Sequence, residues 1–266
     1  MTLRFYAVAY LIFLYAPIAL LPIFAFNDGT IIAFPLQGFT TQWFGELRTT
    51  PALHEAVKNS LIIAVSSAVI ATLLGICAAR AGQMETFPGK GGVIGFIMLP
   101  LVLPEIIVAV SLLVVIVRVM GLPLGNWTII LAHVLICMPF CIAVLNGAFA
   151  GLDKSMEEAA MDLGQSRWGA FRLVTLPLIA PGIVSSLLIS FTISLDEFII
   201  AFFLSGNSPT MPVYIWGLLR FPEKLPVVMA LGTILVALSI VLLTIAETMR
   251  RRGLRRAGLK DTGGFL

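Results

Sequence analysis

The chain has 266 residues, 59% of them apolar and only 12% charged, with a net charge of +3. A soluble domain carries roughly 45–50% apolar and about 25% charged residues, so this composition excludes a water-soluble enzyme and leaves no room for a nucleic-acid-binding domain. It reads as an all-α integral membrane protein with space for about six spans and short connections.

Six apolar runs are predicted as membrane-crossing helices: about 5–26, 56–79, 92–117, 127–149, 179–204 and 226–246. Each can cross roughly 30 Å of hydrocarbon while satisfying its own backbone groups. The first is too long for a signal-peptide core and no small-residue cleavage site follows it, so it is read as an uncleaved span. An even count places both termini on one side. That side holds twelve cations: Arg4, Arg80, Lys90, Lys154, Arg167, Arg172, Arg250, Arg251, Arg252, Arg255, Arg256 and Lys260. The other holds five: Arg48, Lys58, Arg118, Arg220 and Lys224. The bias makes the first side, with both termini, cytoplasmic. Cys77, Cys137 and Cys141 all lie in apolar runs, which argues against a disulfide framework.

Between the fourth and fifth runs lies the longest polar interval on the cytoplasmic side, residues 150–178. Ser155-Met156-Glu157-Glu158 has the form of a capping box, with Ser155 and Glu158 exchanging backbone hydrogen bonds. Glu157 and Glu158 suit the positive end of the helix dipole. Gly164 is placed to stop this helix in a left-handed conformation, and Ser166 to cap a second short helix. Pro177 is expected to end that second helix, and Pro181 to open the fifth span. The result is a helix–turn–helix knob with a slim Ala159-Ala160 face. Its capping pattern alone fits equally well an amphipathic helix lying along the headgroups.

The full string is Glu158-Ala159-Ala160, three residues, Gly164, nine residues, Val174, one residue, then Leu176-Pro177. It resembles the EAA loop of type I ABC-importer permeases, with Val174 in place of isoleucine. Leu99-Pro100-Leu101-Val102-Leu103-Pro104-Glu105-Ile106 and Ser194-Leu195-Asp196-Glu197-Phe198-Ile199-Ile200 are similar to stretches of the spermidine/putrescine branch, most closely its second permease. The resemblance implies the six-helix permease fold, with a first helix and external loop at 1–55, a five-helix core at 56–248 and a basic tail at 249–266. It also implies a second homologous permease, two ATPase subunits and a periplasmic solute-binding protein as partners, in a bacterial inner membrane. ATP and Mg would sit on the ATPase, with no cofactor in this chain. Glu157, Glu158, Ala159, Ala160, Gly164, Leu176 and Pro177 would then form the ATPase-coupling loop.

Three acids stand in apolar runs. Glu105 falls near the middle of the third run, and Asp196 and Glu197 lie toward the outer half of the fifth. Ionisable groups at such depths are costly unless they face a cavity or a partner. Together they leave a negative excess that a polyammonium cargo would complement, so they are predicted to line a substrate path. Each acid has another reading. Glu105 could pair with Arg118 or take a proton, and Asp196 or Glu197 could brace a subunit interface. The same architecture could carry an opine, an amino acid, a sugar or an ion. A proton-coupled secondary transporter, with Glu105 and Asp196 as relays, is a rival of another class. Pro100 and Pro104 should kink the third span.

Other patterns are read more plainly. His133, Cys137 and Cys141 recur at i, i+4 and i+8, which predicts a packed helix stripe rather than a metal site. Gly147 and Gly151 are expected at a close helix approach. The glycine spacing around Gly89-Lys90-Gly91 does not make a phosphate loop. With no nucleophile–base pair either, this chain is expected not to be an enzyme.

Overall fold

The computed structural model describes residues 2–256. Among them the fold is helical, with one isolated bridge between Asn27 and Phe39. Five helices are long and apolar enough to cross a membrane, and a bent pair supplies a sixth span when taken as one.

The bent pair is the third predicted span. Helix α4 (Lys90–Met98) runs into a tight turn at Leu99–Leu101, and α5 (Glu105–Val114) leaves it at 103°. Pro100 and Pro104 remove amide donors on either side of the corner, so the predicted kink is present and larger than a simple bend. The fifth run also departs from a single continuous helix. Helix α9 (Leu176–Asp196) stops at an extended Glu197, and α10 (Ile199–Leu204) resumes after it.

The chain divides into two compact units. One comprises the N-terminal 51 residues with the chain from Ile215 onward. In it α12 (Leu225–Arg256) packs along α1 (Thr2–Ala25) and against the short α2 (Gln42–Arg48). Gly232 permits this approach, since a Cβ there would stand 3.3 Å from Leu21. Lys224 Nζ binds Glu46 Oε1 at 2.6 Å, and the Trp43 indole donates to the Asn27 carbonyl at 2.8 Å. In this division the last span groups with the first. The basic stretch from Arg250 to Arg256 continues α12 as helix rather than forming a separate tail, while Lys260 and the rest of 257–266 lie outside the described residues.

The other unit, Ala52–Tyr214, is built around α6 (Asn126–Ala150). Helix α9 packs along it, and α10 packs on both α5 and α6. Lipid gives helices no hydrophobic reason to associate, so small residues and hydrogen bonds must hold them together. Gly182 lets α9 approach until a Cβ would meet that of Ala148 at 2.6 Å. Gly75 of α3 (Pro51–Met84) does the same against Cys141, at 2.7 Å. The close approaches thus fall at Gly75 and Gly182. Gly147, expected in that role, has nothing within 4 Å of where its Cβ would stand.

A buried polar seam closes the bundle. His133 Nδ1 lies 2.7 Å from Ser194 Oγ, Cys141 Sγ 2.8 Å from Ser190 Oγ, and Thr72 Oγ1 3.2 Å from Ser186 Oγ. The predicted His133–Cys137–Cys141 stripe is packed, and its counterpart is a serine stripe of the same period on antiparallel α9. Each such bond contributes about 0.6–2 kcal/mol within a membrane bundle.

Candidate functional site

The knob starts two residues earlier than the sequence suggests. Asp153 is the N-cap of α7 (Lys154–Asp162), accepting from the Ser155 amide at 3.0 Å. The Ser155–Glu158 capping box is therefore replaced by a carboxylate cap, which also meets the helix dipole with a full negative charge. Hydrogen bonds from Ser155, the backbone amide first, hold the exposed Asp153 carboxyl below its ordinary pKa.

Gly164 ends α7 as predicted, with φ at +90°. The amide of Gly164 donates to Met161 O at 2.9 Å and that of Gln165 to Ala160 O at 3.1 Å, a complete Schellman motif. Ser166 caps α8 (Arg167–Ala170) through the Gly169 amide at 3.1 Å. Pro177 does not end the second helical segment of the knob. Residues 171–175 form a wide π turn in which the Leu176 amide reaches back to Phe171 O, and Leu176 and Pro177 become the first residues of α9. The wide turn shifts the hydrogen-bond ladder so that the missing proline donor falls in a helix's first turn. Pro181 consequently sits inside α9 rather than at its start.

The two adjacent acids of the knob point to different surroundings. Glu158 and Ala159 are exposed, beside Leu163 at 86% exposure and Trp168 at 69%. Ala160 is half-buried. Glu157 turns inward, where Arg80 grips it with both nitrogens, Nη1–Oε1 at 2.7 Å and Nη2–Oε2 at 2.9 Å. Thr175 Oγ1 donates to the same carboxylate, and the Arg80 guanidinium lies 4.7 Å above the Phe171 ring. The hydrogen bond from Arg80 is the main reason that the Glu157 carboxyl is held below its ordinary pKa. Beside this cluster a cavity of about 600 Å³ separates α3 from the knob, lined by Leu73, Ile76, Arg80, Trp168, Phe171 and Leu176.

The three apolar-run acids do not share one environment. Glu105 is the first residue of α5, just past the 103° corner, and is exposed. It does not pair with Arg118, which lies thirteen residues on, about 20 Å along a helix. Asp196 is the last residue of α9 and is also exposed. Glu197 is buried, at 7% exposure. Its Oε1 accepts from the Ile200 amide and its Oε2 from the Ala201 amide, both at 3.0 Å, and Oε2 stands 3.4 Å from His133 Nε2.

Arg80, Thr175 and His133 are the residues that sequence reasoning missed as partners. In the sequence Arg80 is one of the twelve cations of the inner side. Its position near the end of a 34-residue helix, about 51 Å long, was the available signal, since such a helix must emerge from a 30 Å hydrocarbon layer. For His133, the signal was the equal spacing of His133, Cys137 and Cys141 on one run and Ser186, Ser190 and Ser194 on another.

Comparison with known proteins agrees with this architecture. The family described as binding-protein-dependent transport system inner membrane component matches residues 71–256. The spermidine/putrescine transport system permease protein PotC of Escherichia coli K12 is 35% identical over 240 residues, 90% of each chain. The putrescine transport system permease protein PotI of the same organism is 38% identical over 259 residues, 92% of each. A probable molybdenum ABC transporter permease of Haloferax volcanii is 32% identical over 71% of this chain and 76% of its own length. Among solved structures, a bacterial ABC transporter involved in import of the acidic polysaccharide alginate aligns with a TM-score of 0.74 over 94% of both chains at 16% identity. The alginate transporter in complex with its pentasaccharide-bound periplasmic protein aligns at 0.73 and 22% identity, covering 94% and 93%. At these identities the solved structures speak for the fold alone.

Proposed function

The chain belongs to the binding-protein-dependent inner-membrane transport family, as a permease subunit of an ABC importer and not an enzyme, and from that premise we propose that it moves polyamine cations inward by ATP-driven alternating access. A proton-coupled secondary transporter is thereby set aside.

The observation that carries the proposal is the knob: a capped, glycine-terminated helix with an exposed Glu158-Ala159 face and a neighbouring exposed Leu163. Small side chains there suit entry into a groove on another protein, and the apolar Leu163 and Trp168 need a cover. The knob receives an ATPase subunit, and a second homologous permease with its own knob receives the other. ATP and Mg belong to those ATPase chains. With both termini and the knob in the cytoplasm, a periplasmic solute-binding protein delivers cargo to the opposite face.

Polyamine cargo is supported by the 35–38% identity to PotC and PotI over nine-tenths of the chain. It is supported independently by the exposure of Glu105 and Asp196 at two helix breaks, where a di- or polyammonium ion would meet carboxylates in a low-dielectric path. Glu197 belongs to the scaffold that holds Asp196 in place. The test is reconstitution with the partner chains. Bulky substitutions at Glu158 and Gly164 should abolish substrate-stimulated ATP hydrolysis, and stimulation that survives them would refute the coupling role. Binding of spermidine or putrescine by the cognate solute-binding protein decides the cargo separately.

A further inference from the structure

Between α3 and the knob the ordinary means of transmitting a push, close-packed side chains, is interrupted by the 600 Å³ cavity. The side chain of Arg80 bridges it. Arg80 leaves α3 and makes a two-pronged ion pair with Glu157 of α7, while its flat face covers Phe171 in the π turn that leads into α9. Phe171 in turn stacks on Trp168 of α8, with ring centroids 5.5 Å apart. Thr175 closes the cluster from the far end of the π turn by donating to Glu157. Thus one guanidinium joins α3 to α7 and to the π turn that leads into α9, and reaches α8 through the Phe171 ring.

Isolated surface ion pairs contribute little, because flexible side chains must be ordered in high dielectric. This pair differs in three respects. The fork geometry is ideal, at 2.7 and 2.9 Å. Both side chains are largely shielded, at 27% and 18% exposure. The guanidinium is held on its second face by an aromatic ring.

We propose that Arg80 is a positioning residue for energy coupling: it latches the knob to α3, so that displacement of α7 by the ATPase moves α3 together with α9. The two consecutive acids divide the work. Glu158 faces the partner, and Glu157 fastens the knob to the bundle. The latch rests on the coupling role proposed above and specifies its internal half. Thr175 and Phe171 hold the latch in register, and the cavity beside it leaves the knob room to tilt.

The experiment uses the complete importer in lipid: this chain, its partner permease, the ATPases, and the solute-binding protein isolated from the cell with its cargo bound. ATP hydrolysis per assembled complex is measured with and without that binding protein for Arg80→Gln, Arg80→Lys and Glu157→Gln. Arg80→Gln should retain basal hydrolysis while stimulation falls about tenfold, the size expected for losing a charge-assisted bidentate contact, and stimulation should fall alike in Glu157→Gln. Arg80→Lys keeps the charge but not the fork or the stacking, and should fall between them and the wild type. The double exchange Arg80→Glu with Glu157→Arg should recover part of the stimulation. If Arg80→Gln is stimulated like the wild type, or if basal and stimulated rates fall together with the yield of complex, Arg80 is only a structural residue and the latch is refuted. Failure of the coupling role has a different signature: Ala159→Trp, which leaves the latch intact, would then neither release the ATPase nor change stimulation.

Discussion

Replacing Glu197 tests whether this residue, in contrast to Asp196, which is proposed to meet the cargo, serves the scaffold. Its two oxygens serve the amides of Ile200 and Ala201, which are the orphan donors of the first turn of α10. Glu197→Ala leaves both amides buried and unmet, at about 1–3 kcal/mol each, or about 2–6 kcal/mol in total. Glu197→Gln keeps one acceptor oxygen and turns an NH₂ toward the other donor, so about half of that loss, roughly 1–3 kcal/mol, is expected. His133 loses its carboxylate neighbour in both variants. Asp196→Asn touches none of these bonds. Thermal melting of the purified permease pair should therefore rank wild type and Asp196→Asn together, Glu197→Gln below them and Glu197→Ala lowest. Uptake kinetics should show a raised KM for Asp196→Asn. A Glu197→Gln complex that melts like the wild type but no longer takes up polyamine would refute the scaffold role and return Glu197 to the substrate path.

Gly182→Ala should destabilise the bundle by about 1–3 kcal/mol, because the new Cβ meets that of Ala148 at 2.6 Å and neither can rotate away. Gly147→Ala, with nothing near its Cβ, should melt like the wild type, and a reversed order would overturn the assignment of the close approach. Gly164→Ala forces a left-handed alanine at a φ of +90° and should cost about 1–2 kcal/mol locally, seen as faster hydrogen exchange in Ala160 to Gln165 with the spans unchanged. The pH response stems from Glu157. Its carboxyl is depressed in the folded protein, chiefly by Arg80, so its stabilisation is complete above the ordinary carboxylate range and is lost as pH falls through the lowered pKa. Protection of α7 against exchange should stay flat from about pH 8 to pH 6 and weaken only in the acid range, and the dependence should shrink in Arg80→Gln to the part that the Asp153 cap and the Thr175 bond supply. Loss of protection near neutral pH would contradict the pairing.

What the sequence revealed and what it hid divide along sequence distance. Runs of apolar residues, the glycine stop at Gly164, the Ser166 cap and the Pro100–Pro104 corner are decided by residues within a turn or two of each other, and each was readable. The Asp153 cap was also local and was missed because Ser155 offered an equally good pattern two residues later. Pro177 does not stop the helix because a π turn, which the proline rule does not anticipate, absorbs the missing donor. The deeper gaps are long-range. Arg80 and Glu157 are 77 residues apart, and His133 and Ser194 are 61 apart. Hydrophobic periodicity marks which face of a helix is inward without saying which helix it meets, so Gly147 looked as suitable for close approach as Gly75 or Gly182.

The separation of the acids bears on the cargo itself. Three adjacent carboxylates in one cavity would repel one another and raise the cost of keeping all of them charged. Here Glu197 is buried and its two oxygens are taken up by the Ile200 and Ala201 amides beside His133, which leaves Glu105 and Asp196 as the exposed acids, each at the end of a broken helix. Such breaks are where backbone polar groups are freed at membrane depth, and they are tolerated only where they face protein or a water-filled cavity. In the proposed path, two carboxylates on different helices, Glu105 on α5 and Asp196 on α9, suit a linear diammonium or triammonium ion better than a compact monovalent cation, because each acid can meet its own amine. Asp196→Asn and Glu105→Gln should therefore weaken uptake of spermidine, with its additional amine, more than uptake of putrescine, and equal losses for both cargoes would count against a path that reads the length of the cation.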